Sequence, residues 1–311
     1  MKKSKEEEVV FYEISDFKYY LYDLRKSENT INAYVSDLEQ YAKFLNTYLH
    51  IQDVAEIERD DIIKYIESLK RKKLSKKTIA RKVIAIKDFH KFLVSNNHLE
   101  NVALQIDSPK TDKTLPQVLS IEEVNRMINS IDKDDPISLR NRAMMELLYG
   151  SGLRISELLN IRLKDIHMKE RYLIIIGKGD KERMVPVSEM SIIAIRKYLE
   201  KAYNDLAPKN GNLLFYNYQK GPLSRQAVFK YIKKLASDNG IEKEISPHTL
   251  RHSFASHMLE GGMNLRVVQE LLGHEDIATT QIYTHINRQK LKEGYDNCHP
   301  LSKLEEEKED V

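Results

Sequence analysis

Cysteine is nearly absent from the 311-residue sequence, which contains only Cys298. A single cysteine can form neither an internal disulfide nor a cysteine-based zinc site, and it suits a reducing compartment. Glycine (11) and proline (8) are scarce, which excludes collagen-like and low-complexity chains. The apolar runs are too short to span a membrane, and the first residues, MKKSKEEEVV, lack the apolar segment of a signal peptide. We therefore expect a cytoplasmic protein without a membrane partner.

The excess of positive charge is small, but the charge is unevenly distributed. The 50 Lys and Arg against 47 Asp and Glu give a net charge of +3, which does not require a nucleic-acid partner. Between residues 70 and 91, however, ten basic residues face one acid, Asp88. A solvated helix face is the ordinary interpretation, but so one-sided a run favours contacts with phosphates. The predicted DNA-binding residues are Lys70, Arg71, Lys72, Lys73, Lys76, Lys77, Arg81 and Lys82.

The first hundred residues show helical periodicity alone. Apolar residues recur at helical spacing over 17–24, 31–49, 62–69 and 79–93. Asn29 or Thr30 is expected to cap the second helix and Ser75 the fourth. This pattern predicts a small helical bundle at 1–104. Residues 105–117, QIDSPKTDKTLPQ, lack periodicity and hold two prolines, so we expect an interdomain linker there.

The remainder, 118–311, has a mixed pattern. Ser120 and Glu123 fit a capping box, and two apolar runs separated by GKGDKE predict a β-hairpin at 172–187. Helices are expected at 138–149, 190–203, 224–239, 247–260 and 264–272, the last two ending at Gly261 and Gly273. The fold class is therefore mainly α with a small β component.

One predicted helix carries a cation-rich face. It begins at Ser246-Pro247, and His248, Arg251 and His252 share a face near its N-terminus, where a phosphate would be favoured. A plain polar surface is the alternative. Four further residues are each ordinary when considered alone. They are an arginine just after a glycine-marked helix end, a lysine in the predicted hairpin loop, and a histidine and a tyrosine nearer the C-terminus: Arg154, Lys178, His274 and Tyr283.

Taken together, these residues resemble a known catalytic set. The order Arg154, Lys178, His248-x-x-Arg251, His274, Tyr283 resembles that of the tyrosine recombinases, the phage-integrase family. The segment HTLRHSFASHMLEGGMNLRVVQELLGHEDIATTQIYTH is similar to the bacterial Xer type. The resemblance covers nearly the whole chain, although the N-terminal part matches in pattern only. It implies a SAM-like helical core-binding domain and an α+β catalytic domain that form a clamp on duplex DNA.

The chemistry of these residue types suits phosphodiester cleavage. Arg154 and Arg251 can bind phosphoryl oxygens through paired hydrogen bonds and stabilise the charge that develops there. His248 and His274 can donate further hydrogen bonds or move protons. The predicted nucleophile is Tyr283, whose ordinary pKa of ~10 calls for activation by cations or a base, for which His248 is a candidate.

The resemblance supplies the remaining roles. It implies that Lys178 is the general acid for the leaving 5′-oxygen and that Glu157 supports the arginines and histidines. The set contains no carboxylate pair for two metal ions, so we expect neither a metal nor another cofactor. A covalent 3′-phosphotyrosine would conserve the energy of the phosphodiester, so rejoining would need no ATP.

The expected biological role follows from the resemblance as well. It implies site-specific recombination through a Holliday junction, by four protomers on two sites, alone or with a second recombinase. Resolution of chromosome dimers at a dif-type site is the implied role, with an FtsK-type translocase as a candidate partner. An integrase or invertase of a mobile element, a type IB topoisomerase and a non-catalytic DNA-binding factor stay open. The tail at 288–301 is implied to dock into a neighbouring subunit; a terminal helix on its own domain is the alternative.

Overall fold

The computed structural model describes residues 11–97, 99–109, 117–177, 182–273 and 288–300. The chain divides into two compact units, Met1–Thr114 and Leu115–Val311, and each has its own hydrophobic core. The expected linker includes residues 110–116, which lie outside the described ranges. The finer division into 1–104, a linker at 105–117 and 118–311 therefore stays a prediction.

The first unit consists mainly of helices: α1 (Glu13–Asp23), α2 (Glu28–Phe44), α3 (Arg59–Arg71) and α4 (Lys76–Asn97). Ser75 caps α4 as expected, its Oγ accepting a hydrogen bond from the Thr78 amide at 3.2 Å. The cap of α2 is Ser27, not Asn29 or Thr30. Its backbone is extended and its Oγ accepts from the Thr30 amide at 3.3 Å, whereas residues 29 and 30 are already helical.

Aromatic side chains join α1 to α4 in the core of this unit. Phe17 and Phe89 are fully buried and meet edge to face, with ring centroids 5.5 Å apart. The ring of Phe92 lies 5.4 Å from Phe17. Such aromatic pairs add about 0.5–1.5 kcal/mol beyond the area they bury. Most residues of the predicted apolar stripes therefore form the core of this unit, whereas Tyr20 and Leu24 of the first stripe are exposed.

The cations predicted to bind DNA fall into two environments. Six are exposed around the turn between α3 and α4, here called the basic turn: Lys70, Arg71, Lys72, Lys73, Lys76 and Lys77. Lys82 instead is buried, and its ammonium donates to Asp37 Oδ1 at 2.8 Å and Gln40 Oε1 at 3.0 Å. Arg81 also pairs with Asp37 but is 44% exposed.

The prediction of a DNA contact through Lys82 is therefore wrong. Residue 82 follows Ile79 by three positions and precedes Ile86 by four, so it lies on the apolar face of α4. Its charge is tolerated there because Asp37 is buried beside it. Lys82 is a residue of the core rather than of the surface.

Lys82→Met tests this assignment. The change leaves buried Asp37 with one cation fewer, and we expect it to lower the free energy of unfolding by about 1–3 kcal/mol. Lys77→Met, in the exposed basic turn, is the control and should stay within about 0.5 kcal/mol of the wild type. Urea unfolding of the full chain, followed by circular dichroism, measures both. Equal stability of the two variants would contradict the buried ion pair.

His90 makes the stability of this unit depend on pH. Burial lowers the pKa of His90 to about 4, and no hydrogen bond to its Nε2 is found among the described residues. Between pH 4 and 6.5 the unfolded chain therefore binds more protons than the folded chain, and stability falls as the pH falls through that window. His90→Phe, which keeps an aromatic ring beside Tyr41, should remove this contribution.

We expect the wild type to lose about 2 kcal/mol more than His90→Phe between about pH 7 and pH 5. The measurement is the urea-derived free energy of unfolding of both proteins at the two pH values. Other titrating groups are common to both proteins and cancel in the difference. Parallel pH dependence would show that His90 is not held neutral.

The second unit combines helices with a small three-stranded sheet. Its elements are α5 (Ile121–Asn129), α6 (Pro136–Gly150), α7 (Ile155–Leu159), β1 (Ile166–His167), β2 (Tyr172–Ile176), β3 (Glu182–Pro186), α8 (Glu189–Lys201), α9 (Tyr203–Leu206), α10 (Arg225–Asp238), α11 (Pro247–Glu260), α12 (Leu265–Leu272) and α13 (Arg288–Cys298). The predicted capping box opens α5: Ser120 Oγ accepts from the Glu123 amide, and the Glu123 carboxylate accepts from the Ser120 amide. Helix α6 is buried from Leu139 onward except at Arg142 and packs against α8 and α11.

The predicted hairpin is confirmed as strands β2 and β3. These two strands pair antiparallel, and β1 pairs with β2 as a third strand. Because β1 has only two residues, it is too short to show a periodicity in the sequence. The register sets Leu173 opposite Val185 and Ile175 opposite Arg183. Cross-strand partners point to the same face of a sheet, so Arg183 lies on the buried face of the hairpin.

The described end of the tail packs on its own unit. The Tyr295 hydroxyl is buried and donates to the Gly150 carbonyl, and Asp296 pairs with Arg171. A side chain on Gly261 would overlap the carbonyl of Cys298, so α11 and α13 approach closely. Residues 293–300 therefore rest on their own unit, as the alternative of a terminal helix predicts, and docking of the tail into a neighbouring subunit stays a prediction. Among the described helices, none combines the length and apolar character needed to cross a membrane.

Candidate active site

Arg154 and Glu157 meet at the start of α7. Arg154 is the extended residue before the helix, and Glu157 lies in its first turn. The Glu157 carboxylate accepts from the Arg154 amide at 2.8 Å and from Arg154 Nη1 at 2.9 Å. Its side chain is 5% exposed, whereas that of Arg154 is 38% exposed. Glu157 thus orients a guanidinium that still reaches solvent.

Arg251 reaches the same carboxylate from α11, whose start at Ser246-Pro247 was predicted. Its Nη1 donates to the Gly152 carbonyl at 2.8 Å and lies 3.7 Å from Glu157 Oε2. Its Nη2 donates to the Leu272 carbonyl at the end of α12. Burial, followed by the charges of Arg154 and Arg183, lowers the pKa of Arg251 to about 10, so it stays a cation at neutral pH.

Gly152 gives Arg251 its carbonyl partner. Its φ of +56° lies in the left-handed region, and a Cβ there would overlap the ring of Phe254. Glycine is thus required twice, by the backbone and by the core. The turn it permits links buried α6 to α7 and so places Arg154.

Arg183 is a member of this cluster that the sequence did not single out. Its Nη1 and Nη2 donate to the two oxygens of Glu157 at 2.9 and 3.0 Å, and its Nε donates to the Leu271 carbonyl at 3.2 Å. One sequence signal could have identified Arg183. In the strand segment ERMVPV, side chains alternate between the two faces, which puts residue 183 on the same face as Val185.

The charges around Glu157 decide its ionisation. Burial acts to raise the pKa of Glu157, but the hydrogen bonds and charge of Arg183, and then the hydrogen bonds of Arg154, hold it below its usual value. The carboxylate is therefore ionised at neutral pH. Three guanidiniums and one carboxylate leave this group with two positive charges.

The other predicted site residues are placed as follows. His248 is exposed on α11, one turn before Arg251. Lys178, His274 and Tyr283 lie outside the described residues. Within the described ranges, the structure thus brings together Arg154, Glu157 and Arg251, and it adds Arg183. Such a cluster can bind an oxyanion and stabilise negative charge that develops on it.

Comparison with known proteins shows what this chain is similar to. The profile described as "Phage integrase family" matches residues 117–290, and "Phage integrase, N-terminal SAM-like domain" matches residues 14–97. Tyrosine recombinase XerD of Halalkalibacterium halodurans is 42% identical over 276 residues, 88% of this chain and 92% of that protein. Tyrosine recombinase XerD of Oceanobacillus iheyensis is 41% identical over 293 residues, 93% and 98% of the two chains.

Solved structures agree with these relatives. The XerH site-specific recombinase, bound to a palindromic difH substrate in a post-cleavage complex, has a TM-score of 0.67 at 26% identity, over 85% of this chain and 78% of that one. Its pre-cleavage complex with difH has a TM-score of 0.65 at 28% identity, with the same coverage. The chain belongs to the tyrosine recombinase (phage integrase) family. Within that family it is a site-specific recombinase of the Xer type.

Gly152→Ala tests the close packing of this turn against Phe254. The added methyl group must displace Phe254, so we expect a loss of about 1–3 kcal/mol beyond the backbone cost of a positive φ. Gly240→Ala is the matched control, because Gly240 has a φ of +68° and a methyl group there would meet nothing within 4 Å. Thermal unfolding of both variants measures the difference. If the two lose equal stability, the close packing at Gly152 is not what the structure indicates.

Proposed function

We propose that Arg154 and Arg251 bind the scissile phosphate of duplex DNA and that Tyr283 is the nucleophile. The observation that carries this proposal is the attachment of both guanidiniums to one buried carboxylate, Glu157, at 2.9 and 3.7 Å. Two separate elements, α7 and α11, are thereby held so that two cations can act on one anion. Binding groups fixed in advance stabilise charge without reorganising during the reaction.

In the proposed reaction, the Tyr283 oxygen attacks phosphorus and the bond to the 5′-oxygen breaks. The phenolic proton leaves to a base, for which we propose His248, and Lys178 gives a proton to the leaving oxygen. His274 donates a further hydrogen bond to the phosphoryl group. The product is a 3′-phosphotyrosine, and attack by the 5′-hydroxyl of another strand reverses the step. Since a covalent bond is exchanged for one of similar energy, the cycle consumes no ATP and, in this proposal, uses no metal ion.

The first unit is proposed to contact the DNA backbone. The basic turn presents exposed cations on one loop, and Arg81 follows on α4. Phosphate contacts release counterions, so the affinity should fall steeply as salt rises. Lys82 takes no part in this surface because it is buried against Asp37.

The proposed biological role is resolution of chromosome dimers at a dif-type site through a Holliday junction. Relatives named XerD, and a XerH structure that contains difH, support this choice over a mobile-element integrase or invertase. A tetramer on two sites, alone or with a second recombinase, and control by an FtsK-type translocase complete the proposal. Because the proposed substrate is chromosomal DNA, the proposed location is the cytoplasm.

A nicked suicide duplex tests the chemistry. It carries a dif-like site from the genome that encodes the chain, with the nick beside the cleavage point so that the cleaved end diffuses away. We expect wild-type protein to form a covalent protein–DNA band in EDTA and Tyr283→Phe to form none, because the variant lacks the attacking oxygen. Denaturing gels measure the band, and a scrambled duplex is the DNA control.

Each other outcome points to a different conclusion. A band that survives in Tyr283→Phe would mean that another residue is the nucleophile. Binding of both duplexes without any band would favour the non-catalytic DNA-binding factor. Relaxation of supercoiled plasmid without site preference would favour a type IB topoisomerase. A band that is lost only in EDTA would contradict the metal-independent mechanism.

A further inference from the structure

Arg183 holds the oxygens of the carboxylate that orients the proposed phosphate-binding arginines. It lies on β3, and its fork of two nitrogens meets both oxygens of Glu157 at 2.9 and 3.0 Å. Its side chain is 17% exposed, compared with 38% for Arg154. Arg183 is thus placed deeper than Arg154, on the side of the carboxylate that the hairpin covers.

The end of α12 fixes the same three arginines. The carbonyls of Leu271, Leu272 and Gly273 accept from Arg183 Nε, Arg251 Nη2 and Arg154 Nη2, respectively. Carbonyls at the C-terminus of a helix carry partial negative charge and favour cations. Gly273 is suited to this place because its φ is +65° and a Cβ would lie 3.2 Å from the Arg183 guanidinium.

The charge balance shows what Arg183 contributes. An ionised carboxylate can accept about four hydrogen bonds and forms strong paired bonds with a guanidinium. Without Arg183, the Glu157 oxygens would lose two donors, and the nearest remaining cations are Arg154 and Arg251. If Glu157 bound those two guanidiniums more closely, their nitrogens would donate to the carboxylate and would no longer be available to a phosphate. The cluster would also fall from two positive charges to one.

We propose that Arg183 is a positioning residue for strand cleavage: it occupies Glu157 from the hairpin side and thereby leaves Arg154 and Arg251 to bind the scissile phosphate. The proposal rests on the proposed function, because the effect of Arg183 is exerted on the phosphate that those two arginines bind. In the proposed complex, Arg183 itself contacts neither the DNA nor the reacting atoms.

The test is a double-mutant cycle on the rate of covalent-complex formation. Single-turnover cleavage of the nicked dif-like duplex is measured for wild type, Arg183→Gln, Glu157→Gln and the double variant. Arg183→Gln should slow cleavage by about 10- to 100-fold while duplex affinity changes by less than about 3-fold, because positioning matters most in the transition state. In the Glu157→Gln background, the same change should cost less than about 3-fold, since no carboxylate is left to compete for the arginines. Equal losses in both backgrounds would overturn the proposal.

Arg183→Lys separates charge from geometry. Lysine keeps the positive charge but cannot form the paired bonds of a guanidinium fork. We expect its cleavage rate to lie between those of wild type and Arg183→Gln. The thermal stability of every variant is measured together with its cleavage rate, so that a folding defect can be recognised. A loss of rate that follows thermal stability across all variants would mean a merely structural role.

A duplex with sulfur at the 5′-bridging position of the scissile phosphate tests which groups Arg183 acts through. The alternatives are the two phosphate-binding arginines and Lys178. A thiolate leaves without needing a proton, so this duplex should restore cleavage to Lys178→Ala. It should not restore Arg183→Gln, because the proposed defect lies in the arginines that bind the phosphate. Restoration of Arg183→Gln by sulfur would show that Arg183 acts through the lysine of the hairpin, and the proposal would fail. If wild type forms no covalent complex with either duplex, the proposed function fails and the inference fails with it.

Discussion

A buried carboxylate surrounded by guanidiniums is the constraint on which the rest of the site depends. Removing an ion from water costs several kcal/mol unless partners replace its hydration. Glu157 is 5% exposed and meets that cost with Arg183 and Arg154 in direct contact, and with Arg251 at 3.7 Å. Each arginine belongs to a different element. The need to satisfy one carboxylate therefore fixes β3, the start of α7 and α11 relative to one another.

The cluster uses arginine because each cation must reach two kinds of acceptor. Arg154 contacts the Glu157 carboxylate with one terminal nitrogen and the Gly273 carbonyl with the other. Arg183 meets both carboxylate oxygens and still uses Nε on the Leu271 carbonyl. A lysine presents a single nitrogen and cannot bridge acceptors that lie apart. The fork of the guanidinium thus joins the carboxylate to the end of α12 and makes one rigid unit of both.

The parts of this site that the sequence predicted are those carried by short local patterns. Arg154 stands at a glycine-marked turn, and Arg251 lies in a helix whose start is signalled by Ser246-Pro247, so their elements could be placed from local rules. Arg183 was not predicted as a site residue, because its role depends on the strand register and on Glu157, which lies 26 residues away in the sequence. A charged residue inside an apolar strand was the available warning.

One wrong prediction elsewhere has the same physical origin. Lys82 was assigned to the surface with its neighbours, but its acceptor, Asp37, comes from another helix 45 residues away. The packing of the tail on its own unit likewise depends on a distant partner, because Tyr295 finds its acceptor 145 residues earlier in the chain. Charge runs and chain ends show which groups need partners, but the tertiary structure decides which partners they find.

The net charge of the cluster fits the demands of the proposed reaction better than those of simple binding. A DNA phosphodiester carries one negative charge, and attack by an oxygen nucleophile concentrates further charge on its non-bridging oxygens. Three guanidiniums and one carboxylate leave two positive charges, more than the ground state neutralises. In the proposed reaction, this surplus would stabilise the transition state more than the bound substrate, which is the condition for an increase in rate. In the proposed reaction, Glu157 thus acts in two opposed ways: it subtracts one charge from the cluster, and it holds the remaining charges where negative charge develops on the phosphate.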